Sequence, residues 1–209
     1  MIDYPAKLDI DYPDRDLNRL TTFFRLIVVI PIAIIIGLLM GGGGNGSGWE
    51  DQMGKSWSYG GIGLVVLPLV LMILFRQKYP KWWYDWNLAL VRFSVRVCAY
   101  LALMRDEYPS TDEEQAVHLD FVYPDVPKDL NRWLPLVKWF LAIPHVFVLL
   151  FLGIAFVVCV VIAWFAILFT GRYPRGLFDF NLNVLRWELR VGAYALLLVT
   201  DRYPPFALQ

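Results

Sequence analysis

The feature that most constrains this chain is an apolar run over residues 134–169, which only Lys138 and His145 interrupt. One straight helix over that run would be roughly 50 Å long, whereas the hydrocarbon core of a bilayer is about 30 Å thick. We therefore expect the run to fold back as a helical hairpin. We favour arms that cross the membrane over a hairpin that dips into one leaflet without crossing.

Composition supports a membrane protein. The 209 residues are 58% apolar and 18% charged, while soluble domains have about 45–50% apolar and about 25% charged residues. The 19 basic and 19 acidic residues give zero formal net charge, so no overall field attracts nucleic acid, and we expect no nucleic-acid partner. The long apolar runs exclude a disordered chain, a disulfide scaffold and an ordinary cytosolic enzyme.

One sequence pattern occurs twice along the chain. Residues 79–103 align with residues 173–197 without a gap and are identical at 11 of 25 positions. We predict a tandem duplication, with a first membrane repeat over residues 1–109 and a second over 110–209, joined in one membrane domain. The alignment places the turn of the second hairpin near Gly153.

Each repeat begins with a short alternating segment, over residues 7–12 and 117–123, which predicts an edge strand. We expect these two strands to pair across a pseudo-twofold axis, since each alone would be marginal. In the first repeat two apolar spans follow, over residues 21–40 and 57–75, with a glycine-rich flexible loop at 41–48 between them.

Only one of the 19 Lys and Arg residues, Lys55, lies in the segment 41–61. The positive-inside rule therefore predicts that this loop is extracytoplasmic and that both termini are cytoplasmic. The polar start of the chain predicts no cleavable signal peptide. Arg25 and Lys138 align between the repeats, and we expect both to snorkel toward the membrane surface.

The predicted fold class is all-α integral membrane. It contains a tandem duplication with two helical hairpins, which give about four transmembrane spans in a multi-pass protein. Two amphipathic interfacial helices and short cytoplasmic strand segments complete it.

The amphipathic helix of each repeat carries two arginines on one polar face, and two interpretations remain open. The guanidinium pairs can cradle anionic lipid phosphates at the cytoplasmic leaflet. Alternatively, they form salt bridges with aspartates on the same helices, in the segments that follow these helices, or on the strands. Arginines and aspartates both recur in the two repeats, which favours this structural role. The residues in question are Arg92, Arg96, Arg186, Arg190, Asp85 and Asp179.

Aromatic residues around these helices are typical of the membrane interface, where an apolar ring with a polar edge lies at the headgroup level. We interpret six of them as interfacial anchors: Trp82, Trp83, Tyr79, Tyr173, Trp187 and Tyr203.

Catalytic motifs are not visible in the sequence. There is no Ser/His/Asp or Cys/His set, no HExxH motif and no phosphate-binding loop. His118 and His145 are the only histidines, which gives poor support for a haem site. We therefore predict no catalytic residue, no metal site, no cofactor and no enzymatic activity.

Three functions remain as hypotheses. The leading one is a non-catalytic accessory or scaffold subunit of a larger membrane complex, with membrane lipids and other membrane-protein subunits as partners. The alternative is a protein that binds or handles anionic phospholipid through the arginines. A small-solute channel or transporter is weaker, because the spans carry almost no polar residues to line a path.

Three motifs in the second repeat resemble a known family. They are Arg-Tyr-Pro at 172–174, Arg-Trp-Glu-Leu-Arg-Val at 186–191 and Thr-Asp-Arg-Tyr-Pro-Pro-Phe at 200–206, and Asp-Phe-Asn at 179–181 supports the same resemblance. The chain thereby resembles the membrane family catalogued as domain of unknown function 4389. The resemblance implies a bacterial inner (plasma) membrane protein with paired spans, and it brings no activity, substrate or catalytic residue.

Overall fold

The structure is a computed structural model that describes residues 4–13, 16–32, 34, 60–111 and 113–208. Its elements follow in chain order: strand β1 (Ala6–Ile10), helix α1 (Arg19–Val28), helix α2 (Gly60–Leu71) with a π-helical continuation (Met72–Arg76), helix α3 (Lys81–Leu101), strand β2 (Val117–Phe121), the short helix α4 (Val126–Asp129), helix α5 (Pro135–Thr170) and helix α6 (Arg175–Ala195).

The predicted four-span, all-α fold is wrong. Within the described residues, only α5 is long and apolar enough to cross a membrane, and a two-stranded antiparallel sheet stands beside the helices. The described apolar stretch Val66–Arg76 is a shorter helix that does not meet this criterion. The loop predicted at 41–48 and much of the first predicted hairpin lie outside the described residues.

The hairpin predicted near Gly153 is not formed, because α5 continues through it as one helix of 36 residues. A glycine inside a helix costs only about 1 kcal/mol relative to alanine. A Cβ at Gly153 would meet nothing within 4 Å, so no neighbouring group forces a turn there. The helix ends instead at Gly171, whose positive φ of 77° suits a left-handed cap.

The two strand segments pair with each other, with Leu8 opposite Leu119. Backbone bonds join Val122 N to Pro5 O and Asp11 N to Ala116 O. Because bonded and non-bonded pairs alternate in an antiparallel ladder, the Leu8 and Leu119 carbonyls point away from the partner strand. Each outer edge of the sheet therefore presents a free carbonyl at its centre.

Helices α3 and α6 flank this sheet, with α3 against β2 and α6 against β1. Buried alternate residues of both strands join the helices in one hydrophobic core. Helix α6 also packs against α5, through a cluster that includes Ala142, Trp187 and Tyr194. We call the sheet, α3, α6 and the segments that follow these two helices the cap.

Helices α3 and α6 are followed by leucines in the left-handed region, Leu103 with φ 63° and Leu198 with φ 53°. This conformation is strained for a residue with a Cβ. Both side chains are buried in the main core, and that packing holds the chain in its sharp turn after each helix.

Candidate functional site

The first arginine of each predicted pair binds the outer edge of the sheet. Arg92 Nε donates to Leu119 O at 2.8 Å, and Arg186 Nε donates to Leu8 O at 2.9 Å. These acceptors are the free central carbonyls of the two strands. The two side chains therefore satisfy edges that would otherwise be open to other strands.

Carboxylates on the strands neutralise these two arginines. Arg186 Nη2 lies 2.9 Å from Asp9 Oδ1, and Arg92 Nη2 lies 3.5 Å from Asp120 Oδ1. Asp85 and Asp179, named from sequence as partners, are exposed. In the described part of the chain, no Lys, Arg or His nitrogen lies within 4 Å of their carboxylates.

The second arginine of each pair holds a backbone carbonyl. Arg96 Nη1 donates to Ser110 O at 2.8 Å, and Arg190 Nη2 donates to Ala207 O at 2.5 Å. Among the described residues, no carboxylate oxygen lies within 4 Å of either guanidinium. The Nε atoms of both are buried and have no acceptor within that same part of the chain.

All four arginines line one cleft against the sheet, with a volume of about 700 Å³. Besides the arginines, the charged residues that line it are Lys7, Asp9, Asp120 and Glu114. Within the described part of the chain, five cationic side chains therefore line the cleft together with three carboxylates. Two of these carboxylates are already paired with Arg92 and Arg186, so the cleft has excess positive charge.

Burial lowers the pKa of Arg190, and the nearby Arg186 guanidinium adds to this effect, while Tyr4 opposes it. Arginine remains protonated in proteins nonetheless. Burial raises the pKa of Tyr4, which keeps its hydroxyl neutral and able to donate. That hydroxyl donates to Arg202 O at 3.0 Å and closes the cleft near α6.

Three of the six aromatic residues interpreted as anchors lie in the protein interior. Tyr79 OH donates to Leu197 O at 3.0 Å, Tyr173 OH accepts from the Asn181 amide at 2.8 Å, and Trp187 Nε1 donates to His145 Nδ1 at 3.1 Å. Trp83 is partly buried, whereas Trp82 and Tyr203 are exposed. Only the exposed rings are placed to meet lipid headgroups.

Two buried ion pairs were not predicted from sequence. Arg25 pairs with Asp106, and Lys138 Nζ lies 2.7 Å from Asp201 Oδ1. Both cations are buried, so neither snorkels as expected. The signal was present in the alignment, because the two cations and the two carboxylates occupy corresponding positions in the repeats.

Among the described residues, no group of three or more His, Cys, Asp or Glu side chains is placed to hold a metal ion. Cys98 and Cys159 are free thiols.

Residues 133–207 match the family model described as Domain of unknown function (DUF4389). This segment contains α5, α6 and the extended segment after α6. The match confirms the resemblance inferred from the motifs around Tyr173, Arg186 and Asp201. No curated protein and no solved structure matches the chain.

Proposed function

We propose that this protein is a non-catalytic accessory or scaffold subunit of a membrane assembly, anchored by α5. The observation that carries the proposal is the uncovered apolar face of this helix. Soluble proteins rarely leave a continuous apolar patch of this size in water. The large side chains with at least half of their surface exposed include Phe147, Leu150, Phe151, Ile154, Val157, Val158 and Val161.

The length of α5 is consistent with a membrane anchor. About 20 residues suffice to cross the hydrocarbon core, and α5 has 36. Its first turns pack on the cap through Lys138, Ala142 and His145, and Ala163 and Ile167 near its end are buried as well, so the surface that we propose to meet lipid lies on the turns between them. The family resemblance leads us to propose a bacterial inner membrane.

The cap supports a scaffold role because its parts are firmly cross-connected. Aromatic hydroxyls join segments far apart in the chain, as in the bonds from Tyr79 to Leu197 O and from Tyr123 to Tyr79 O. A rigid cap fixed to an apolar helix presents two surfaces to neighbours, one for partners outside the bilayer and one for lipid or partner helices.

Matched valine substitutions test the anchor. Val158 on α5 and Val122 after β2 are both exposed. An aspartate at the centre of a span costs about 2.5–3.5 kcal/mol on insertion scales, so we expect V158D to reduce the fraction of protein that resists carbonate extraction from membranes. V122D should leave that fraction unchanged. Equal retention of the two variants would refute the anchor.

A change of shape without a change of polarity tests the accessory role. Lipid tails accept leucine as readily as valine, whereas a packed partner helix does not. We expect V157L/V161L to remain in the membrane but to lose stoichiometric partners, measured by native mass spectrometry after mild detergent extraction. A wild-type protein that purifies as a lone monomer would contradict the proposal.

Anionic phospholipid binding is the second candidate function. The specific observation that favours it is the cleft with four arginines, two of which have no carboxylate partner among the described residues.

A further inference from the structure

Two of the four arginines in the cleft, Arg96 and Arg190, do not bind the edges of the sheet. Arg92 and Arg186 are occupied by the strand edges and by Asp120 and Asp9. We propose that the cleft is a binding site for a phosphate group, held by Arg96 and Arg190. This inference deepens the second candidate function and does not depend on the anchor.

Charge balance supports an anion in the cleft. Among the described residues that line the cleft, Lys7 and the four arginines exceed the carboxylates Asp9, Asp120 and Glu114 by two positive charges. A doubly charged phosphate would neutralise this excess. Glu114 lines the cleft as well, and it would disfavour an anion near its own carboxylate, so we place the phosphate against the arginines.

Unused donors support the same conclusion. A guanidinium carries five N–H donors in a planar fork. Within the described residues, Arg96 and Arg190 each make one hydrogen bond, to Ser110 O and Ala207 O. Their Nε atoms are buried without an acceptor there. The Nε atoms are closed off from the cleft, but phosphate oxygens would supply acceptors to the remaining Nη donors without displacing either carbonyl.

Burial would strengthen the hydrogen bonds between Arg190 and a phosphate, because only 5% of Arg190 is exposed. A charge-assisted hydrogen bond is stronger where water is excluded. Arg96 is less buried and lies on α3, so the two arginines contact the ligand from different helices. Phosphate binding would therefore tie α3 to α6 and stabilise the folded cap.

The cleft is larger than a phosphate ion, and two sources have the same chemistry. One is the headgroup of an anionic phospholipid, and the other is free phosphate or a soluble phosphate ester. The cap carries exposed Trp82, which suits a surface close to headgroups. The experiment therefore has one arm for each source.

The experiment measures the thermal unfolding midpoint of the full-length protein in detergent micelles. The first arm compares saturating inorganic phosphate with chloride at equal ionic strength. The second compares detergent micelles that contain dioleoyl phosphatidic acid with detergent micelles in which dioleoyl phosphatidylcholine is the only lipid. A ligand that binds only the folded state raises the midpoint, and we expect a rise of several degrees in the second arm at least.

Two double variants remove the same number of positive charges and distinguish binding in the cleft from a general effect of the protein's charge. R96Q/R190Q should lose the rise. R76Q/R132Q removes two exposed arginines outside the cleft and should keep it. A rise in both arms assigns the site to phosphate from either source, and a rise with phosphatidic acid alone assigns it to lipid headgroups.

Several results would overturn the proposal. They are no rise in either arm for the wild type, a rise that survives in R96Q/R190Q, or an equal loss in both variants. If R96Q/R190Q does not fold, phenylglyoxal modification of the wild type replaces it. Phosphate should then slow modification of Arg96 but not of Arg132, and unchanged rates would refute the site. A protein that shows phosphate protection but washes off membranes would refute only the anchor.

Discussion

At the scale of single residues, the buried cations show how the cap is attached to the apolar helices. Lys138 on α5 has no exposed surface, and its Nζ donates to Thr200 O at 2.8 Å beside Asp201. Arg25 on α1 makes the corresponding contacts with Arg105 O and Asp106. Each cation thus joins one helix to the segment that follows α3 or α6.

Removing one partner of such a pair leaves a buried charge uncompensated, which costs about 3–5 kcal/mol. We therefore expect D201N to lower the free energy of unfolding by that amount. Asp179 is exposed, and D179N should change it by no more than about 0.5 kcal/mol. Denaturant unfolding in detergent checks both. A D201N protein as stable as D179N would show that the pair contributes nothing.

Cys98 gives a prediction about reactivity. Burial, and secondarily the charge of Glu188, raises the pKa of this thiol to about 12. Because the thiolate is the reactive form, Cys98 should resist maleimide labelling at neutral pH. The measurement uses the C159S variant, and labelling after denaturation serves as the control. Rapid labelling of the folded protein at neutral pH would contradict the burial of Cys98.

The arginines show what could be predicted about the site. Their spacing along α3 and α6 predicted that each pair shares one polar face, and the structure brings all four to one cleft. Aspartates on the strands were among the predicted partners, but the spacing could not choose between them and the helix aspartates. Asp9 and Asp120 lie far away in the chain and reach Arg186 and Arg92 only through the packing of the helices against the paired strands.

At the scale of elements, helix ends follow local chemistry while helix lengths do not. Both α3 and α6 begin directly after a Tyr-Pro pair, where proline holds the preceding residue extended. Whether a long apolar run turns back depends on what surrounds it. Helix α5 continues through Gly153, although the repeat alignment predicted a turn there.

Two helix ends provide a matched pair of substitutions. Gly171 after α5 and Gln77 after the π-helical turn both have positive φ, which glycine tolerates best. We expect G171A to destabilise the protein by about 1 kcal/mol and Q77G to stabilise it by about 0.5–1 kcal/mol. Thermal unfolding of both variants measures this, and changes of the same sign would show that φ is not the cause.

At the scale of the whole molecule, neither half of the chain completes the cap. The sheet takes one strand from each half. Tyr4 OH donates to Arg202 O, and Tyr12 OH donates to Tyr173 O. The predicted repeats over 1–109 and 110–209 therefore exchange the contacts that hold them together, which a pattern within one repeat does not reveal.

This exchange predicts the behaviour of fragments. Residues 110–209 alone leave β2 without a partner strand and Arg186 without Leu8 O, and an isolated strand is not stable. We expect this fragment to lack a cooperative thermal transition by near-UV circular dichroism and to regain one when coexpressed with residues 1–109. A cooperative transition in the fragment alone would mean that the hairpin of α5 and α6 is a folding unit by itself.

The pairing of β1 with β2 also means that β1 must wait for its partner strand during synthesis. Residues that pair in the sheet are more than 100 positions apart, so at about 5–20 residues per second β1 leaves the ribosome roughly 5–20 s before its partner. During that interval the β1 segment has no partner strand. A translation product that stops before Val117 never supplies the partner strand, so its β1 segment stays accessible to proteases. Cleavage in this segment therefore distinguishes incomplete chains from complete ones.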